Sequence, residues 1–120
     1  MKKTAVIGAS ENPARYSNIA MRMLHEYEHE VVALGRRAGQ VNGTKIIDNW
    51  PEEIEGLDTL TLYLNPRNQV PHYDYIIGLK PKRIIFNPGT ENPDLVRLAK
   101  EKGIETTEAC TLVMLRTNQF

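Results

Sequence analysis

Cysteine is nearly absent: Cys110 is the only one in 120 residues. An internal disulfide and a multi-cysteine metal site are thereby excluded. Net charge is missing too, because 15 Lys and Arg balance 15 Asp and Glu. Binding through a nucleic-acid backbone needs a basic surface, so nucleic acid is not an expected partner. No apolar run reaches the roughly 18 residues of a membrane span, and no leading apolar segment of signal-peptide kind is seen. A soluble cytoplasmic protein with no membrane partner is expected. His25, His29 and His72 do not stand at metal-ligand spacing with other ligands. Internal repeats, low-complexity tracts and linkers are also lacking. What is present is 41% hydrophobic residues, which suits one domain over residues 1–120 with a real core.

The chain is organised around residues 4–17. An apolar run, Ala5-Val6-Ile7, stops at Gly8, a polar turn follows, and a helical pattern starts near Ser17. A buried strand that delivers a glycine and a serine to the mouth of a helix is a phosphate-binding arrangement. Glycine lets backbone approach the ligand, and the free N–H groups of a first helical turn favour an anion. The first helix is expected over 17–27, with Ile19, Ala20, Met23, Leu24 and Tyr27 on one face and Ser17 or Asn18 as N-cap.

The rest reads as repeats of strand then helix. Strands are expected at 31–34, 59–64, 83–86 and 104–107, with a small edge strand at 45–47. A short helix is expected after Trp50-Pro51, ended by Gly56. Further helices are expected at 68–79, with Pro71 in its first turn, at 93–102, and briefly at 110–116. Short connections of this kind mean βαβ units, and the fold class is α/β with a five-stranded parallel sheet in the order 3-2-1-4-5. Ligand then belongs at the carboxyl ends of the strands, beside the switch point between the first strand and the fourth. Gly8-Ala9-Ser10, Arg36-Arg37, Asn65-Pro66 and Asn87-Pro88-Gly89 all end strands on that edge.

The first loop is not a dinucleotide fingerprint, since Ser10 and Pro13 stand where G-x-G-x-x-G needs glycines. The acid that would hold a ribose diol is missing as well: residues 31–47 contain three bases and no acid. An arginine there suits a phosphate on the ribose, because its planar fork grips phosphate bidentately. A ligand with an adenine ribose phosphate and a pyrophosphate is expected. Coenzyme A and NADP both qualify, with the incomplete glycine pattern weighing against NADP. Each feature also has a plainer reading: a tight turn and helix cap at Gly8 and Ser10, surface charge at Arg36 and Arg37, strand terminators at the Asn-Pro pairs. Cys110 reads first as a small buried apolar residue, with a redox or thioester-facing role left open because it opens a helical segment.

Gly8-Ala9-Ser10, Asn12-Pro13, Arg15 and Ser17 resemble the opening motif of the small bacterial CoA-binding proteins, G-A-S-x-x-P-x-R-x-S. These are stand-alone Rossmann-like, three-layer domains similar to the CoA-binding domain of the succinate–CoA ligase alpha subunit. Asn65-Pro66, Asn87-Pro88-Gly89, Gly103-Ile104 and Cys110 follow in the family's order. The chain departs at Gly35-Arg36-Arg37, where the family usually has Asn-Pro. It departs again at Asn87-Pro88-Gly89, where Gln-x-Gly is common, and at Thr111, where a proline often follows the cysteine.

The resemblance implies that Gly8, Ala9 and Ser10 hold the pyrophosphate with the hydroxyl of Ser17, and that Arg15 neutralises it. Arg36 or Arg37 would meet the 3′-phosphate. Asn65, Pro66 and Gln69 would line the adenine or pantetheine wall, and Asn87, Gly89 and Cys110 would complete the rim. The expected function is binding of coenzyme A or an acyl-CoA without catalysis. No histidine stands in a phosphohistidine-like loop, and no nucleotide-grasping domain is expected within these 120 residues. An NADP-dependent oxidoreductase is the enzymatic alternative, but no Tyr-x-x-x-Lys helix or other acid–base residue supports it. A nucleotide-sensing regulatory subunit, acting as a homo-oligomer or through a partner protein, is the third reading.

Overall fold

β1 (Thr4–Ala9), β2 (Val31–Gly35), β3 (Gly39–Val41), β4 (Thr44–Ile47), β5 (Thr59–Leu62), β6 (Arg83–Phe86) and β7 (Glu105–Glu108) form one sheet in a computed structural model that describes all 120 residues. The helices are α1 (Tyr16–Glu26), α2 (Pro66–Gln69), α3 (Tyr73–Gly78), α4 (Pro93–Glu101) and α5 (Thr111–Arg116). The architecture is the α/β one that the strand–helix alternation predicts, and it is Rossmann-like, as the family resemblance implies. No helix is long and apolar enough to cross a membrane.

The strand count and order differ from expectation. The sheet has seven strands in the order β3-β4-β2-β1-β5-β6-β7, all parallel neighbours except β3 against β4. The third expected strand, β5, pairs with β1, Thr4 to Thr59 through Ile7 to Leu62, and does not lie outside β2. That outer slot is taken by β4, where Ala33 faces Ile46 and Leu34 faces Ile47. The cause is a hairpin over Gly39–Ile47, where only an edge strand at 45–47 is expected. Asn42 (φ +47°) and Gly43 (φ +83°) turn β3 back onto β4, as a two-residue Asn-Gly turn does. The chain thus goes outward from β1 through β2 to β4 and then crosses back to β5. The switch point lies between β1 and β5.

The two faces of the sheet carry separate cores. Ile7, Leu34, Leu62, Phe86, Ile76 and Leu95 pack on the face covered by α3 and α4. Val6, Ala9, Ala20, Leu24, Leu112 and Leu115 pack on the face covered by α1 and α5. Strict alternation would put Ala9 with Ile7. It packs with Val6 because the β1–β2 register shifts between Ile7 and Ala9, a bulge at Gly8 of the kind common beside binding sites.

Three helical expectations also change. Residues 48–56 form no helix. Trp50 Nε1 instead donates to Gly35 O at 3.0 Å, and Tyr75 Oη donates to Pro51 O at 2.6 Å. The helix expected over 68–79 is α2, a 3₁₀ turn at Val70–His72, and α3. Pro71 sits in the middle turn, where its missing N–H and ring prevent a continuous α-helix. α1 begins one residue early, with Arg15 as N-cap and no side-chain cap. α4 follows expectation: Asn92 Oδ1 accepts from the N–H groups of Asp94 and Leu95, with Pro93 at N1.

Candidate functional site

The first loop is held from within and leaves the mouth of α1 open. Ser10 Oγ accepts from Asn12 N at 3.1 Å and Asn12 Oδ1 accepts from Ala14 N at 3.0 Å. Asn18 is the anchor from the helix side: its Nδ2 donates to Ser10 O at 2.9 Å and its Oδ1 accepts from Arg22 Nε at 2.8 Å. Asn18 is therefore a loop tether and not an N-cap. The Ser10 hydroxyl keeps its own proton to donate, and α1 has no acidic residue in its first turn to compete for an anion.

The loops converge as the strand ends predict. A cavity of about 410 Å³ is lined by Gly8, Ala9, Ser10, Arg15, Arg36 and Arg37, closed on the other side by Tyr63 to Asn65. The molecule's ion pairs are Lys3–Glu30, Lys82–Asp58 and Arg97–Asp94, so the three cavity arginines have no carboxylate partner. Opening from the same place, a second cavity of about 310 Å³ shares Gly8, Ser10, Arg15 and Asn65 and adds Ser17 and Gly89. A third, of about 210 Å³, is reached past Tyr16, Tyr63 and Pro88 and ends at Cys110 and Leu112. The three make one groove across the carboxyl edge of the sheet, from an arginine end through a polar neck to an apolar end.

Three predicted contact residues have other work. Gln69 is fully buried. Its Nε2 donates to Leu64 O and to Thr90 O, both at 2.8 Å, and its Oε1 accepts from Asn92 Nδ2 at 2.9 Å. No part of the amide is left for a ligand wall. It fastens the turn after β5 to the turn after β6. Asn87 is engaged the same way. Its Nδ2 donates to Thr61 Oγ1 at 2.7 Å and to Leu62 O at 2.8 Å, and its Oδ1 accepts from Thr111 N at 2.8 Å. Pro66 lines none of the three cavities and serves as the first residue of α2, capped by Asn65 Oδ1 on Asn68 N at 2.9 Å.

Sequence reasoning missed the residue that touches all three parts of the groove, Tyr63. Its hydroxyl is shut off from solvent beside Thr61 and Thr111 without reaching a partner in hydrogen-bond geometry. Burial pushes its pKa up to about 12, partly offset by those two hydroxyls, so it stays a neutral phenol. The signal was a tyrosine closing an apolar strand, which reads as core. Its neighbour Tyr16, 71% exposed at the first position of α1, was also passed over.

The model of a family described as "CoA binding domain" matches residues 2–116. A crystal structure of an uncharacterized protein is 50% identical, with a TM-score of 0.96, over 100% of this chain and 98% of its own. A Thermus thermophilus protein described as cell-free ID.343 is 23% identical, with a TM-score of 0.86, over 99% of this chain and 90% of its own. A dinucleotide-forming acetyl-coenzyme A synthetase of Ca. Korarchaeum cryptofilum shares the fold at 20% identity and a TM-score of 0.70, over 90% of this chain but 25% of its own. No curated protein matches.

Proposed function

The chain belongs to the CoA binding domain family, and from that premise we propose that it holds coenzyme A or an acyl-CoA in the groove at the carboxyl edge of its sheet, without chemistry of its own. The pyrophosphate takes the backbone of Gly8 to Ser10, the hydroxyls of Ser10 and Ser17, and the charge of Arg15. The 3′-phosphate takes Arg36 or Arg37, and Asn65 stands along the wall. One observation carries this reading: three arginines without acidic partners share a cavity with a glycine–serine turn at an uncapped helix mouth. Unpaired cations around an anion-favouring backbone call for a ligand with more than one phosphate.

The arginines after β2 would equally take the ribose phosphate of NADP, so the test compares the two. Thermal unfolding is followed with coenzyme A, acetyl-CoA, NADP, NAD and ATP. A ligand that binds only the folded state adds about 2.7 kcal/mol at a hundred times its Kd. Coenzyme A is expected to raise Tm, and NADP is not. A shift with NADP alone would replace the proposal. Arg15→Ala and Arg36→Ala are each expected to weaken coenzyme A binding by roughly tenfold, the loss of a charge-assisted hydrogen bond at an exposed site. Unchanged affinity in both would remove those two contacts.

A further inference from the structure

We propose that the apolar end of the groove is an acyl-chain subsite, which takes a short aliphatic group carried as a thioester. The proposal rests on the coenzyme A reading and adds to it which end of the ligand goes where and what the far end carries. Polarity falls in one direction along the groove. The arginine cavity and the neck share Gly8, Ser10, Arg15, Tyr63 and Asn65. The neck and the apolar cavity share Tyr16, Tyr63 and Pro88. A ligand whose phosphates lie among Arg15, Arg36 and Arg37 therefore presents its opposite end to Pro88, Cys110 and Leu112.

That end is built to be apolar. Asn87, the one amide in its lining, has its donors and acceptor bonded to Thr61, Leu62 and Thr111. The Tyr63 hydroxyl is buried beneath the surface, so what that residue offers the cavity is ring. Leu112 belongs to the core beside α1 and gives the floor rigidity. A bare thiol would leave most of this surface wet, whereas an acyl chain removes it from water. The volume sets a limit: about 210 Å³, against the roughly 150 Å³ of an apolar cavity that takes a benzene, is room for a chain of a few carbons.

The test measures Kd by calorimetry for coenzyme A, acetyl-CoA, butyryl-CoA and decanoyl-CoA with the whole chain. Affinity is expected to rise from coenzyme A to butyryl-CoA, by up to about fourfold per buried methylene, and decanoyl-CoA is expected to gain nothing further. Cys110→Met, which fills the cavity, is expected to bring the ratio of butyryl-CoA to coenzyme A affinity toward one. A flat or falling series in a protein that binds coenzyme A overturns the subsite and leaves the earlier reading standing. A series that keeps rising to decanoyl-CoA overturns the size limit, and an unchanged ratio in Cys110→Met overturns the location. Absence of any coenzyme A binding overturns the earlier reading and this one with it.

Discussion

At Gly8 the backbone turns through a φ of +98°, and a Cβ there would stand 3.0 Å from the carbonyl carbon and oxygen of Tyr63. Either constraint alone favours glycine; together they tie the loop after β1 to the strand end beside it. Gly8→Ala is expected to cost about 1–3 kcal/mol, the usual range for a residue forced into a sparsely populated backbone region, as read by urea denaturation. Wild-type stability in that variant would mean that the bulge is free to relax. Gly8 was legible in the sequence because a glycine after an apolar run has few structural uses. Gln69 was misread for a reason at the same scale. An amide beside a turn looks the same whether it faces a ligand or a carbonyl 21 residues away, as Gln69 does with Thr90. Only the fold says which backbone groups need a partner, and buried ones are nearly always given one.

Among the elements, the hairpin of β3 and β4 decides where Arg36 and Arg37 stand, since they lie in the link between β2 and β3. Strands with a continuous apolar run and helices with caps at both ends were readable: β1 and α4 carry their signals within a few residues. β3 is three residues long, Gly39-Gln40-Val41, too short for alternation to register. Its Asn42-Gly43 turn was the only local cue. Missing it sent the third expected strand to the wrong side of β1. The turn also yields a clean test. Nothing lies within 4 Å of a Cβ placed on Gly43, so substitution there reports the backbone alone. Gly43→Ala is expected to lose roughly 1 kcal/mol, and Gly43→Asn less, because asparagine tolerates positive φ better than alanine. Equal losses in the two variants, measured by chemical denaturation, would argue against the two-residue turn.

Over the whole molecule, the groove is assembled from loops on both sides of β1, and its shape depends on how those loops are held to one another. On the side toward β7, Gln69 and Asn87 lock the turns after β5 and β6 with buried hydrogen bonds. On the side toward β3, one bond does the corresponding job. Glu11, in the loop after β1, accepts from Gln40 N of β3 at 2.9 Å with its Oε2. Gly39 makes room for it, since a Cβ there would strike Glu11 Cγ at 2.6 Å. The bond fixes the far end of the segment that bears Arg36 and Arg37 relative to Ser10 and Arg15. It therefore sets the distance between the sites proposed for the 3′-phosphate and the pyrophosphate. Glu11→Ala and Gly39→Ala are both expected to weaken coenzyme A several-fold, as befits an exposed hydrogen bond to a charged group, while leaving 3′-dephospho-CoA close to its wild-type affinity. The ratio of the two affinities is the informative quantity. A spacing role lowers that ratio, because only the ligand with the extra phosphate feels the arginine segment move. An equal fall for both ligands would reduce Glu11 to general support of its own loop, and the preference proposed for a phosphorylated ribose would then have to come from the arginines without any help from β3.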